Sequence, residues 1–241
     1  MLFLRSLLYM LWLIVTVAPY AIVVVCASVV MRGMPLYHLS LGWVRLSVWG
    51  AEHICGIRSR ITGLETLPDG PVILLAKHQS AWETVAFLFL FPPVSPVIKQ
   101  ELLKVPFFGW AFRMLSPIAI DRGAGREALK QIVSQGKTKL AQGFWVLVFP
   151  EGTRVAPGEK GRYGIGGSWL AAETGAPIVP VAHNAGEVWP KNAFIKRPGT
   201  VTVRIGPVID SSGKSAAELT RMVEAWIETE MTRLPPAAAR Q

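Results

Sequence analysis

From Ser6 to Met31 the chain runs for 26 residues without a charge. As a helix such a run is about 39 Å long at 1.5 Å per residue, more than the roughly 30 Å of hydrocarbon in a bilayer. The apolar part of a secretory signal is normally only about 7–15 residues. Val25-Cys26-Ala27 is a weak match to a cleavage site, and the length predicts a retained membrane anchor instead. Pro19, near the middle, can kink this helix or split it into a re-entrant pair. Arg5 alone precedes the run, whereas Arg32, Arg45, Arg58 and Arg60 follow it. For a spanning helix that asymmetry puts the body of the chain on the cytoplasmic face of the inner membrane.

Residues 33–56 carry Leu36, Leu39, Trp43, Leu46 and Trp49 at helical spacing. The stripe fits a second helix lying on the membrane surface and fits equally one packed on the rest of the chain. Residues 1–56 are therefore expected to form a helical membrane-anchoring segment and residues 57–241 the folded body.

The chain as a whole is basic but sparsely charged. Lys and Arg exceed Asp and Glu by 25 − 16 = 9, yet charged residues make up only 17 % of the chain. A disordered or nucleic-acid-tail protein shows dense charge and few apolar residues, so those classes are excluded, and an anionic membrane is the expected partner. Two cysteines cannot build a disulfide scaffold and suit a reducing compartment.

Short apolar runs rich in β-branched residues occur at 72–76, 94–98, 117–120, 145–149, 178–182 and 201–205, with helical patterns at 125–141 and 216–234 between and after them. Ser215 and Glu218 form a capping signature at the start of the last one. This alternation predicts an α/β fold: a central, mostly parallel sheet flanked by helices. Only the tail PPAAARQ (235–241) reads as frayed. Gly136-Lys137-Thr138 lacks the upstream glycine of a phosphate-binding loop, and the cluster at Gly164 and Gly166 lacks the third glycine of a dinucleotide fingerprint. Ser168 lacks the second glycine of a nucleophile elbow. With no His/Cys cluster at zinc spacing, chemistry without metal or cofactor is expected.

Two turns remain as candidates. His78 follows the buried-looking run 72–76, at the carboxyl end of a strand, where open α/β sheets place ligands. If Ser80 caps the next helix, Glu83 sits in its first turn and reaches back to the imidazole. A carboxylate on one ring nitrogen fixes the tautomer and makes the other nitrogen a general base. Ser80-Ala-Trp-Glu83 also reads as a plain capping box, which needs no catalysis. The second turn follows WVLVF: Pro150, Glu151, Gly152, Thr153 and Arg154, with an Arg suited to phosphate and a Gly permitting close backbone approach. Taken alone, such a turn with a surface Arg is ordinary.

Together these residues resemble the glycerolipid acyltransferase family over about residues 57–210. The family carries a His-x4-Asp motif, matched by His78 and Glu83. It also carries a block ending in Arg (SPIAIDR, 116–122), the block FPEGTR (Phe149 to Arg154) and an apolar strand containing Pro (IVPV, 178–181). The intervening VIKQELLKVPFFGW (97–110) is similar as well. Glu83 stands where the family usually has Asp, which keeps the carboxylate and adds a methylene.

The resemblance implies that residues 57–241 form an acyltransferase catalytic domain. An acyl group would move from acyl-CoA or acyl carrier protein (acyl-ACP) to the sn-2 hydroxyl of lysophosphatidic acid, giving phosphatidic acid for phospholipid synthesis. His78 would be the base and Glu83 its orienting partner. Lys99, Arg122 and Arg154 would hold the acceptor phosphate, and Glu151 and Gly152 would position the glycerol. The same chemistry on a lyso-ornithine lipid or on glycerol-3-phosphate is the alternative. Arg122 beside Asp121 and Lys99 beside Glu101 also read as surface pairs. His38, His53 and His183 belong to no motif and read as interfacial or structural.

Overall fold

The computed structural model describes residues 1–91 and 93–237; the last four residues of the tail read as frayed lie outside them. Two long helices come first, α1 (Leu2–Ala27) and α2 (Met34–Cys55). Then follow β1 (Ile57–Thr62), β2 (Ile73–Ala76), α3 (Trp82–Leu90), β3 (Val94–Lys99), a 3-10 turn (Gln100–Lys104), α4 (Phe108–Phe112) and β4 (Ile118–Ile120). The chain continues through α5 (Arg126–Ala141), β5 (Trp145–Val148), α6 (Gly166–Thr174), β6 (Ile178–His183), α7 (Ala185–Val188), β7 (Gly199–Ile205) and α8 (Ala216–Arg233).

The seven strands form one sheet in the order β1-β7-β6-β2-β5-β3-β4. Every pairing is parallel except β6 with β7. A parallel sheet is covered on both faces, so its strands are apolar on both sides. β2 obeys this. Leu74 and Ala76 join the core under α2 and α3 with Leu147, Val179 and Val181. Ile73 and Leu75 join a second core under α5, α6 and α8 with Val146, Val148 and Ile178. All six apolar runs are strands. β1 (IRSRIT) escaped that reading because Arg58, Ser59 and Arg60 are exposed on the sheet's edge and leave no apolar run.

Two of the glycines in the nucleotide-loop patterns are packing residues. A Cβ on Gly136 of α5 would collide with Leu170 of α6, and one on Gly166 of α6 would stand 2.8 Å from Ile132 of α5, so these glycines let the two helices approach each other.

α1 runs unbroken through Pro19, so the segment is not split. It lies antiparallel to α2 and is tied to it by Arg5 Nε to the Ile54 carbonyl (2.6 Å), Tyr9 to Ser47 (3.1 Å), Trp12 to Leu46 (3.1 Å) and Tyr20 to Leu39 (2.8 Å). Tyr20 and Trp12 fill the space over Gly42 and Gly50, where any side chain would overlap them. The buried face of α2 is Leu36, Tyr37, Ser40, Leu41, Val44, Ser47, Gly50, Ala51 and Cys55. Of the expected stripe Leu36 is on it, whereas Leu39, Trp43, Leu46 and Trp49 are not, because small residues make the close contacts. Tyr37, Leu41 and Val44 share a core with the sheet. The opposite face of α1, with Leu4, Leu8, Leu11, Val15 and Ile22, is open.

The chain leaves β2, skips a place to lay down β3, and returns to insert β5 between them. The resulting switch in direction opens a crevice at the carboxyl ends of β2 and β5.

Candidate active site

The segments carrying His78 and Phe149–Arg154 leave neighbouring strands, β2 and β5, at the same end of the sheet. Each polar group of His78 except one is committed. Its N–H donates to Glu151 Oε2 (2.9 Å), and its carbonyl accepts from the Val155 N–H (2.9 Å). Its ring stacks on Phe149 with centroids 4.1 Å apart, and Nδ1 lies 2.9 Å from Glu83 Oε1. A carboxylate only accepts, so Nδ1 carries the proton and Nε2 is left with a lone pair. That is the tautomer a general base requires.

Glu83 is fully buried in the first turn of α3. Its Oε1 accepts three bonds: from His78 Nδ1, from Gln79 N (2.9 Å) and from Ser80 N (2.8 Å). The helix starts one residue later than expected, with Ala81 and not Ser80 at its N-cap, so only half of the capping pattern is present: Glu83 takes the Ser80 N–H, while the Ser80 hydroxyl accepts from Trp82 N instead of Glu83 N. Capping and orientation of the imidazole thus share one oxygen. Burial disfavours the charge on Glu83. Nearby His183, the bond and charge of His78 and the Ser80 amide outweigh it and hold the carboxyl below its ordinary range.

Glu151 does not reach the cleft. Its side chain has no exposed surface, and its oxygens bind Lys77 Nζ (2.8 Å), Gly161 N (3.0 Å) and His78 N. The expected contact of this carboxylate with glycerol gives way to a structural one: Glu151 holds the backbone of His78. Gly152, at φ 65°, turns the chain so that its carbonyl accepts from the Arg122 guanidinium. Asp121 takes the Gly123 N–H and makes no ion pair with Arg122 among the described residues.

The unclaimed edge of His78 opens on a cleft of about 250 Å³ whose lining includes Lys99, Arg122, Arg154 and Lys191. Four of the expected residues therefore share one cavity: His78, Lys99, Arg122 and Arg154. Lys99 also pairs with exposed Glu101 (3.2 Å). Pro96, Val97, Ile98 and Leu102 give the cleft an apolar wall. Among the described residues no cluster of three or more His, Cys, Asp or Glu has the arrangement of a metal site.

The acyltransferase family's sequence model matches residues 58–184. The chain belongs to the acyltransferase family. It is 46 % identical over 201 residues to a 1-acyl-sn-glycerol-3-phosphate acyltransferase of Pseudomonas aeruginosa, covering 82 % of this chain and 78 % of that one. A mouse 1-acyl-sn-glycerol-3-phosphate acyltransferase alpha is 26 % identical over 212 residues, covering 86 % and 73 %. The crystal structure of the 1-acyl-sn-glycerophosphate acyltransferase PlsC of Thermotoga maritima superposes with a TM-score of 0.81 at 26 % identity, covering 98 % of this chain and 97 % of that one.

Two cations of this acyltransferase were not singled out in the sequence. Lys191 lines the cleft and donates to the Thr153 hydroxyl (3.2 Å). It lies 37 residues beyond Arg154, and no local pattern marks it. Lys77 is 1 % exposed and sits between two carboxylates, Glu151 at 2.8 Å and Glu228 of α8 at 2.9 Å, with the Glu159 carbonyl at 3.1 Å. Tyr163 donates to the same Glu228 oxygen (2.7 Å). Here a signal existed, since a lysine directly after five apolar residues of a buried strand needs a buried partner. His183 at the end of β6 is buried; its Nδ1 accepts the Ala185 N–H, so Nε2 donates to the Lys77 carbonyl (2.8 Å). Burial depresses its pKa, and its two bonds make it a strut between β2 and β6.

Proposed function

We propose that this acyltransferase moves an acyl group from acyl-CoA or acyl-ACP to the sn-2 hydroxyl of lysophosphatidic acid. One observation carries the reading: among the described residues Nε2 is the polar atom of His78 left without a partner, and His78 lines a cleft with four cations. The acceptor phosphate lies among Lys99, Arg122, Arg154 and Lys191, through charge-assisted bonds that hold its hydroxyl in one place. Nε2 takes the hydroxyl proton as the oxygen attacks the thioester carbonyl, and Glu83 stabilises the imidazolium that forms. The C–O bond forms, the C–S bond breaks, and the proton passes to the departing thiolate. No acyl-enzyme intermediate is required. The relatives compared above are named 1-acyl-sn-glycerol-3-phosphate acyltransferases, which supports this acceptor.

The protein works at the cytoplasmic face of the inner membrane. α1 is long and apolar enough to cross a bilayer. One side of it is tied to α2 from Arg5 to Tyr20, and α2 bears exposed Arg45, Glu52 and His53. That pairing favours a helix embedded along one leaflet by its open face, which keeps the cleft at the lipid surface.

The test is thiol release by purified protein, with acyl-CoA and acyl-ACP as donors and a panel of acceptors. Lysophosphatidic acid is expected to be the best acceptor. A preference for lyso-ornithine lipid, which lacks the phosphate, would remove the role given to the four cations, and preference for glycerol-3-phosphate would move the reaction one acylation earlier.

A further inference from the structure

Beside the cleft, whose apolar wall includes Leu102, the chain between β3 and β4 presents an exposed apolar ridge. Leu102, Val105, Phe107 and Trp110 are all more than a third exposed. The ridge is built, not loose. Phe107 sits at φ 59° and ψ −64°, and the Phe108 N–H bonds to the Pro106 carbonyl (2.7 Å), which makes a tight γ-turn of a kind rarely formed by residues other than glycine. Gly109 lies so close to the preceding turn that a Cβ would stand 2.6 Å from the Leu103 carbonyl oxygen and 2.7 Å from that of Leu102. Both features hold the Phe107 and Trp110 rings together, 5.2 Å apart, on the outside.

The inner side of α4 meets the amino-terminal helices. Phe108, Ala111 and Phe112 border a small apolar cavity with Val17, Tyr20 and Ala21 of α1. The ridge is thus continuous with the helix whose open face is the apolar surface already assigned to lipid.

Beside the ridge is a separate open pocket of about 510 Å³ lined by Lys104, Arg113 and Lys139, with no carboxylate in its lining. None of the three is in an ion pair among the described residues. Lys139 is partly withdrawn from water over the Phe144 ring, with the Ser116 hydroxyl as its hydrogen-bond partner. The pocket shares no lining residue with the His78 cleft.

We propose that residues 102–110 form a second bilayer contact and that the Lys104, Arg113 and Lys139 pocket beside it takes the phosphate of an anionic phospholipid headgroup. Aromatic residues at the headgroup level with cations next to them are the composition that such an interface selects. The inference rests on the membrane placement of α1 but not on the identity of the acyl acceptor.

A competition between phosphatidylcholine and phosphatidylglycerol vesicles for the full chain tests it, because α1 enters both and largely cancels in the ratio. The Arg113→Gln/Lys139→Gln variant is expected to lower the preference for phosphatidylglycerol by roughly 30-fold, the equivalent of about 1 kcal/mol per cation. Lys104→Gln, at an exposed position, is expected to lower it about fivefold, and it carries the test if the double variant does not fold. Phe107→Ser/Trp110→Ser should weaken binding to both vesicles. Lys130→Gln/Lys137→Gln removes the same charge from the outer face of α5 and should leave the ratio almost unchanged. An equal drop with this control pair would overturn the proposal in favour of diffuse net charge. Loss of the preference on adding inorganic phosphate, at matched ionic strength, would also overturn it by assigning the pocket to a soluble phosphate.

Discussion

The two turns that meet at His78 are built in opposite ways. In the turn after β2 the chemistry is local: His78, Ser80 and Glu83 lie within six residues, and one carboxylate oxygen closes both bonds. The turn after β5 acts at a distance. Phe149 stacks on His78, Glu151 and Val155 hold the histidine's backbone, and Gly152 accepts from Arg122. Of its residues, Arg154 and Thr153 line the cleft beside Phe149, while the carboxylate of Glu151 is buried beneath it. On the proposed reading the first turn supplies the reacting group and the second mostly supplies its frame. The most chemically suggestive side chain of the second motif, the carboxylate of Glu151, is then a structural one.

If that division is right, the first turn should fail in catalysis and the second in folding. His78→Ala should lower turnover by about 10²–10⁴ while the melting temperature changes little, because Nε2 acts only in the chemical step. Turnover above about a tenth of the original would contradict loss of a general base. Lys77→Met, although it directly follows β2, tests the frame by removing the cation that Glu151 of the second turn binds. It leaves Glu151 and Glu228 facing each other without the cation between them, and breaking a buried pair this way costs about 3–5 kcal/mol. Chemical denaturation should show that loss, with residual activity in the fraction that stays folded. A Lys77→Met protein as stable as the original would show that the buried cluster frames nothing.

Glu83 belongs to both halves of the comparison, so its variants separate them. Glu83→Gln keeps an oxygen for the Gln79 and Ser80 amides but cannot stabilise imidazolium. Activity should fall about 10²-fold, and Glu83→Asp should retain a substantial part of it. Stability should respond to pH in a defined direction. The carboxyl is pulled below its unfolded value of 4.5, so its ionised form stabilises the fold above that pH, and the contribution disappears as pH falls through the lower, folded pKa. Melting temperatures measured across the acid range should decline less steeply for Glu83→Gln than for the original. Identical acid profiles together with full activity would return Glu83 to capping alone.

What the sequence disclosed follows the same division. The six core strands were legible because burial on both faces makes them continuous apolar runs, and the His78–Glu83 pair was legible because a helix start brings i and i+5 together locally. β1 was hidden by its exposed arginines at the sheet edge. The stripe on α2 was misplaced because glycine and serine, which carry little hydrophobic signal, make its tightest contacts. Glu228 and Lys191 could not be assigned at all, since each joins the site through tertiary packing from 151 residues beyond Lys77 in one case and 38 residues beyond Thr153 in the other.

The cleft cations offer the finest version of the comparison. Arg154 has no bonded partner in the described hydrogen bonds and lines the cavity, whereas Arg122 is partly spent on the Gly152 carbonyl and Lys191 on the Thr153 hydroxyl. An Arg with its fork free is suited to bidentate contact with phosphate, so Arg154→Ala should raise the acceptor's KM about tenfold and leave the donor's nearly unchanged. Collapse of donor affinity instead would assign Arg154 to the coenzyme's phosphates. Lys191 is exposed, and an exposed ammonium contributes about 0.2–1 kcal/mol to an ion pair. Lys191→Ala should therefore raise the acceptor's KM only about two- to fivefold, and the effect should shrink as salt is added because solvent-exposed charges are screened. The decisive measurement is the double variant. If both cations grip the same phosphate, the loss in Arg154→Ala/Lys191→Ala will differ from the product of the single losses. If the two losses simply multiply, Lys191 steers the acceptor from a distance without touching it.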